Sequence, residues 1–493
     1  MKHSETGVTA GTQPASTELR SDVVGTTDLV FFVLSAAAPL TVMAGFAALG
    51  FLIAGQVAPA GYLIAGIVYV VFAVGFTAMS KHVRNSGAFY AYISRGIGPT
   101  IGAGSAMVAY LSYALGQIGF LAATGVFASE GIALLIGVSV PWQMTAVVLG
   151  SVVALLSYLK VDIGAKVLAV LLLTEVGVLF VLAIAVLIRG GHEGLSADSF
   201  NPAHLMTASI GALFAITFVV YIGFEQTAIY SEEARDAQRT VPRATYIAIV
   251  VLAVVYTFIS WAILMAAGPS RLAALLAGDP AQLVFDLNTE YVGATMTSVM
   301  QVLIITSFFA GALALQNAGA RYLFALGRDG VLPAWFSRTG ARTKTPQSAG
   351  LVHTLVVVCT LIGFGLTSLD PYTQIVLWTN TPTLVGVMAL EIAVCIAVIR
   401  YLRHAPGGET LWQRLIAPGL ATILLVVVMA LLMKNMPMLT GLGPVGNAIM
   451  LSPLAVGFAI GVGRALWLRT AAPDRYRRLS GNTETLPTAE VVR

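Results

Sequence analysis

Apolar stretches of about 20 residues, each long enough to cross a hydrocarbon core of about 30 Å as a helix, recur along nearly the whole of this 493-residue chain. Inside lipid every backbone N–H and C=O needs a partner within the protein, which leaves helices and closed barrels as spanning structures; runs of this length select helices. The composition agrees, with 57% of residues apolar and 10% charged against about a quarter charged in soluble domains. The expected fold class is an all-α integral membrane protein. Cys359 and Cys395 both fall within apolar runs, so the chain offers neither a disulfide framework nor a cysteine metal cluster. The polar stretch from Met1 to Thr27 lacks the basic start, short apolar run and cleavage site of a signal peptide and reads as a disordered tail. A net charge of +4 reports orientation first in a membrane protein, and nothing indicates nucleic acid.

Twelve spans are expected: Leu29–Ile53, Gly61–Met79, Ile101–Ala128, Thr145–Tyr158, Lys166–Ile188, Ile210–Tyr230, Ala244–Ala267, Gly293–Leu315, Ser348–Leu366, Tyr372–Ile399, Ile416–Met433 and Ala448–Leu468. A cytoplasmic N-terminus puts Lys81, Arg84, Arg95, Lys160, Arg235, Arg239, Arg243, Arg328, Arg338, Arg342, Lys344, Arg403 and the C-terminal arginines inside. It leaves only Arg189, Arg271 and Lys434 outside, which satisfies the positive-inside rule.

The first and sixth spans are each interrupted near the middle. "SAAAPLTVMAG" carries Pro39, and "VVYIGFEQ" carries Gly223. Proline removes a donor and clashes with the preceding turn, and glycine costs about 1 kcal/mol in a helix relative to alanine. Broken spans five helices apart point to an inverted-repeat transporter with its site at the membrane midplane. A break of this kind turns half-helix ends towards the site, where an N-terminus attracts a carboxylate and a C-terminus an ammonium or cation.

Three acids lie at membrane depth. Glu175 stands nine residues past Lys166 in the fifth span, roughly 13 Å along a helix; Glu225 lies in the sixth and Glu391 in the tenth, within "MALEIAVCIAVIRY". No lysine or arginine occupies a comparable depth. A buried carboxyl without a basic partner is protonated, binds a cation, or accepts several hydrogen bonds, and such acids are functional-site candidates. The aromatics Tyr110, Tyr113, Phe218, Tyr221 and Trp378 either line a pocket or pack. Gln117 and the Trp378-Thr379-Asn380 cluster either contact a ligand or bond helix to helix.

Taken together, the residues resemble the amino acid, polyamine and organocation permease superfamily from about Asp28 to the twelfth span. The most specific piece is Gly223-Phe224-Glu225, then Ser231-Glu232-Glu233, then Val241-Pro242-Arg243-Ala244. "SGAFYAYISRGIGP" (Ser86 to Pro99) and "NAGARYLFALGRDGVLPAWF" (Asn317 to Phe336) match further cytoplasmic family segments. The resemblance implies a LeuT-like five-plus-five inverted repeat with discontinuous helices 1 and 6. It would comprise a tail at 1–27, repeats at 28–190 and 208–400, two extra helices at 412–470 and a tail at 471–493. It implies a substrate site between Ala37, Ala38, Pro39, Leu40 and Thr41 of the first break and Tyr221, Ile222 and Gly223 of the sixth, flanked by the third, eighth and tenth spans. The candidate contacts are then Tyr110, Tyr113, Gln117, Phe218, Glu225, Trp378 and Asn380. Charged Glu232, Glu233, Arg235, Arg239 and Arg243 would latch an inward gate or form a solvated run.

Two departures from the family pattern stand out. Ala-Ala-Ala-Pro replaces the Gly-Ser-Gly-like run of many members, so fewer free amides meet a substrate carboxylate. Glu175 stands where many relatives carry a fifth-helix lysine, and a glutamate there takes up a proton rather than serving as a tethered cation. The expected function is secondary transport of an amino acid, amine or polyamine across the plasma or inner membrane. Coupling would be to protons at Glu175, with Glu225 as a further relay, or to sodium with Thr306 and Ser307 as ligands; a substrate exchanger of the same fold is the other alternative. The three acids tilt the reading towards a cationic amine. An enzyme is not expected, because the six histidines are scattered and no nucleophile motif appears; no cofactor is expected. A channel would need a continuous polar path rather than broken helices.

Overall fold

A computed structural model describes residues 24–83, 85, 87–159, 165–205, 209–340, 345–404 and 407–479. Arg84, Ser86, Lys160, Arg342, Lys344, the tail up to residue 23 and residues 480–493 lie outside the described residues, as does the side chain of Lys166. The described chain is helical, and among the described residues 10 helices are long and apolar enough to cross a membrane. The difference from twelve has two sources. Thr26–Ser80 runs as one apolar stretch holding the first two expected spans, with a turn at Gly55 (φ 57°). The sixth is split into Ile210–Val219 and Gln226–Ile229, neither long enough to cross alone.

Several helices overshoot the expected spans. The third runs Pro99–Ile136, the seventh Ala237–Ala267, the eighth Ala294–Arg328 and the tenth continues to His404. Hydropathy marks where lipid ends, whereas a helix stops only where its backbone is capped. The third helix begins with Pro99 in its first turn, where no N–H is needed, and stops at Gly137 (φ 74°), whose N–H bonds the Ala133 carbonyl at 3.0 Å.

The first, second, sixth and seventh spans pack with one another, as do the third, fourth, eighth and ninth. The tenth lies on the third, and the first touches the fifth and eighth. Small residues permit close approach: a Cβ at Gly66 in the second span would lie 2.5 Å from the Ala253 Cβ of the seventh. Val24 and Tyr476, near the two ends of the described chain, lie on one face. Val24 exchanges backbone hydrogen bonds with Glu233 (3.1 Å) and Arg235 (2.9 Å), while the Tyr476 hydroxyl lies 2.9 Å from that of Thr100. We call this the terminal face.

Candidate functional site

Both sequence-marked interruptions are real breaks in the helices. The first helix stops at Ala37, because Pro39 supplies no N–H and its ring disfavours helical backbone in the residue before it. Ala38 responds by adopting a left-handed conformation (φ 45°, ψ 70°), which costs about 1–2 kcal/mol for a residue with a Cβ. The chain continues as a wide turn over Thr41–Phe46 before Ala47–Ala54 resumes the α-helix. In the sixth span the helix ends at Val219, and Val220 to Glu225 form successive turns around Gly223, whose φ is 122°. The Tyr256 hydroxyl of the seventh span faces both breaks, 3.0 Å from the Ala37 carbonyl and 3.4 Å from that of Val220. Its one hydrogen thus has an acceptor at each interruption, the nearer being the Ala37 carbonyl. Nothing in the sequence marks Tyr256 apart from other aromatics.

A Cβ at Gly223 would have room, its nearest neighbours being Ala36 Cβ at 3.6 Å and Gln226 Nε2 at 3.8 Å. The positive φ, not space, therefore demands glycine here. Gly223→Ala is expected to store about 1–3 kcal/mol of backbone strain and to lower uptake about tenfold, since about 1.4 kcal/mol corresponds to a factor of ten. Uptake and thermal melting measured on the same preparation check this; unchanged uptake contradicts it.

Between the breaks lies a cavity of about 60 Å³. Ala36, Ala37 and Val42 of the first span, Val219, Val220 and Ile222 of the sixth, Gly116 and Phe120 of the third, Leu315 of the eighth and Val376, Leu377, Asn380, Thr381 and Thr383 of the tenth contribute to its lining. Phe46 and Phe120 continue from the lining into an aromatic cluster with Phe308, Phe127 and Tyr372. The lining is overwhelmingly aliphatic and aromatic, and no acid contributes to it.

Of the expected contacts, Ala37, Ile222 and Asn380 line this cavity. Ala38, Pro39, Leu40, Thr41, Tyr221 and Gly223 form the breaks themselves. The third span presents a neighbouring stripe, Gly116 and Phe120, to the cavity, and Tyr110, Tyr113 and Gln117 turn elsewhere. The Gln117 amide donates to Gln316 (2.9 Å) and its carbonyl meets the buried His353 at 2.5 Å, while the Tyr110 ring packs edge-on against His353. Phe218 packs against Tyr69, and the Tyr221 hydroxyl donates to the Tyr62 carbonyl at 2.9 Å. The Trp378 indole donates to the Thr440 carbonyl at 2.9 Å.

The three acids differ in their surroundings. Glu175 is 3% exposed, and Glu225 and Glu391 are fully buried. Glu225 has both oxygens occupied: Tyr113 donates to Oε1, and the Gly223 N–H donates to Oε2 at 2.8 Å. It therefore closes the turn that the glycine opens. Glu175 accepts the Ser307 hydroxyl at 2.7 Å, and Ser307 Oγ lies 3.4 Å from the Thr41 N–H. Fifth, eighth and broken first spans thus meet at one hydroxyl. Thr306 instead donates to its own helix at the Leu303 carbonyl, 2.8 Å away.

On the terminal face the charged run pairs with the eighth span. Arg328 grips Glu232 with two hydrogen bonds of 3.1 Å, and Arg321 reaches Glu233 at 3.0 and 3.2 Å while lying 4.3 Å above the Tyr230 ring. Burial raises the Asp329 carboxyl, beside Arg328, to about 7. As pH falls through neutrality Asp329 loses its charge, and Glu232 keeps the guanidinium. Arg239 makes an exposed pair with Asp236 at 3.7 Å, and Arg243 is exposed. Neither joins Glu232 or Glu233 across the interface.

Comparison with known proteins supplies the family. A family model described as "Amino acid permease" matches residues 24–460. The chain is 26% identical over 327 residues to the branched-chain amino acid permease BcaP of Lactococcus lactis, covering 61% of this chain and 67% of that one. It is 24% identical over 349 residues to the low-affinity putrescine importer PlaP of Escherichia coli, covering 66% and 74%. A crystal structure of the Eremococcus coleocola manganese transporter superposes over 93% of this chain and 98% of that one, with a TM-score of 0.52 and 13% identity. That likeness bears on fold alone and is LeuT-like. With the breaks in the first and sixth spans and a family match along most of its length, the chain belongs to the amino acid permease family of multi-pass membrane transporters.

Proposed function

We propose that this chain is a proton-coupled symporter of a small amino acid or amine, working by alternating access in a cell membrane with both termini cytoplasmic. Residues 28–190 and 208–400 serve as the two inverted repeats, and the substrate sits between their broken helices. The observation that carries the reading is the cavity between those breaks, with Glu175 linked through Ser307 to the Thr41 N–H at its edge. Protonation of Glu175 removes the charge that holds the Ser307 hydroxyl. It thereby changes the contact between the fifth and eighth spans and the first break. Glu232 and Glu233, bound to Arg328 and Arg321, act as the cytoplasmic latch, and the arginine-rich terminal face fits a cytoplasmic location.

The lining favours a compact apolar side chain over a polyamine. A dication would need acceptors along its length, whereas the lining offers Asn380, Thr381 and Thr383 and no carboxylate. This revises the tilt towards a cationic amine, because the acids that motivated it lie beside the cavity and not in it. Thermal-shift measurements with L-leucine, L-valine, putrescine and spermidine test this. The aliphatic amino acids are expected to raise the melting temperature and the polyamines to leave it unchanged; the reverse order overturns the assignment. Sodium is the competing coupling ion, since Glu175 and Ser307 supply hard oxygens. Replacing sodium by choline at fixed pH is expected to leave uptake unchanged, and loss of uptake would transfer the coupling role to sodium.

A further inference from the structure

Glu391 lies one interface away from the cavity and has no part in the reading above. It is fully buried in the tenth span, where its Oε1 has no hydrogen-bond partner and its Oε2 has one, the Tyr69 hydroxyl of the second span at 3.5 Å. The same hydroxyl lies 3.5 Å from the Phe218 carbonyl, in the last turn of the sixth span's first half-helix. Tyr69 is also packed against the break itself, its ring stacked on Tyr221 at 5.3 Å and tilted against Phe224 at 5.2 Å. One hydrogen thus stands between two acceptors, a carboxyl in the tenth span and a backbone carbonyl in the sixth.

Among the described residues, the titratable groups that interact with Glu391 are tyrosines, a cysteine and another carboxyl. The second span offers Tyr69, the third Tyr113, the sixth Glu225 and the tenth itself Cys395, one turn further on. Among the described residues Glu391 makes no ion pair. A buried carboxylate without a cation and with one acceptor site empty is strongly disfavoured, so this carboxyl has reason to hold a proton.

The geometry points to Glu391 as a second proton-binding site whose occupancy is read out at the sixth-span break by Tyr69, acting as a positioning residue. When Glu391 is ionised, Tyr69 donates its hydrogen to the carboxylate and the Phe218 carbonyl goes without it. When Glu391 takes a proton from solution, a carboxyl O–H forms and donates to the Tyr69 oxygen. The Tyr69 hydrogen then turns to the Phe218 carbonyl. No proton leaves Tyr69 at any stage. The consequence is that proton occupancy at the tenth span adds or removes a hydrogen bond at the half-helix end that borders the substrate cavity, where the Phe218 carbonyl also accepts the Tyr221 N–H at 3.2 Å. Because linkage is reciprocal, substrate binding at the break must also shift proton binding at Glu391.

This proposal rests on the transporter reading for its consequence but not for its chemistry, and the test separates the two. Infrared difference spectra of purified protein between about pH 5 and pH 8, a range set by carboxyl shifts of a few units on burial, should contain a protonated-carboxyl band. That band should vanish in Glu391→Gln and move in frequency in Tyr69→Phe. Both variants keep nearly the native shape, and their melting curves and elution profiles report folding. The second measurement is L-leucine counterflow at equal internal and external pH in a Glu175→Gln background, which removes the other titrating candidate. The residual pH dependence should be at least about fivefold, the lower end of typical coupling between sites. It should be lost on adding either Glu391→Gln or Tyr69→Phe. Identical spectra for the wild type and Glu391→Gln, or a residual pH dependence that survives Glu391→Gln, overturns the proposal. Absence of counterflow in the wild type contradicts the transport reading and leaves the infrared result to decide the proton site.

Discussion

Glu175→Gln is expected to abolish pH-gradient-driven accumulation in proteoliposomes while sparing exchange of one substrate molecule for another. The physical reason is the difference between binding a proton and offering a hydrogen bond. Glutamine occupies the space of glutamate, and its carbonyl oxygen can still accept the Ser307 hydroxyl that Glu175 accepts at 2.7 Å. The contact from Ser307 to the Thr41 N–H at the first break therefore survives, and so does the path by which the loaded protein reorients. What disappears is the only charge change at that position. With no proton carried at position 175, the variant loses the site through which a pH gradient drives net accumulation, while Glu391 still titrates. Accumulation should fall by at least about tenfold, equivalent to about 1.4 kcal/mol, and the pH dependence that remains should be the part that Glu391→Gln removes. Counterflow should remain within about threefold of the wild type, less than 1 kcal/mol on the same scale. Glu175→Leu, which also removes the acceptor, should lower both.

The second large effect is expected at the latch. Arg328 and Glu232 expose 24% and 22% of their side chains, and Arg321 and Glu233 expose 15% each. These pairs are too dry to be ordinary surface ion pairs, which contribute at most about 1 kcal/mol. They are too wet for the roughly 3–5 kcal/mol lost when a fully buried pair is broken. An intermediate loss of about 1–2 kcal/mol per pair changes a two-state ratio about 5- to 30-fold. Arg328→Ala and Arg321→Ala should therefore populate conformations open on the terminal face. An Ile222→Cys reporter at the cavity wall, with Cys359 and Cys395 replaced by serine, should then react faster with an impermeant thiol reagent from that face. Substrate accumulation should fall because the protein leaks through its open form. Arg239→Ala and Arg243→Ala, whose side chains are exposed, should change neither quantity. Equal labelling rates in all four variants would remove these pairs from the gate.

Much of this arrangement is legible in the sequence. Long apolar runs defined the helices, because lipid forbids other solutions for a backbone of that length. Pro39 and Gly223 located both breaks, since a missing donor and a positive φ act within a few residues. The family resemblance drew attention to Glu175 with Thr306 and Ser307 together; Ser307 donates to Glu175, while Thr306 bonds its own helix. Three features were less accessible. Hydropathy separated the second span from the first but missed how far Pro99–Ile136 and Ala294–Arg328 continue past the expected ends at Ala128 and Leu315. In the third span the polar and aromatic residues drew attention to Tyr110, Tyr113 and Gln117, but the cavity receives Gly116 and Phe120. The cavity is apolar, so its lining carries no polar signature, and the polar stripe bonds neighbouring helices instead. The latch partners Arg321 and Arg328 stand nearly 90 residues or more from their acids, and no local rule connects them.

The central claim is that one alternately exposed, apolar site is coupled to proton uptake. It is tested most directly by L-leucine flux into proteoliposomes with and without an acidic exterior, in sodium-free buffer, with the bilayer potential clamped. The account predicts saturable uptake, acceleration by unlabelled substrate inside, and transient accumulation above equilibrium only when the exterior is acidic. Flux that rises linearly with concentration, shows no counterflow and ignores the pH gradient would contradict it.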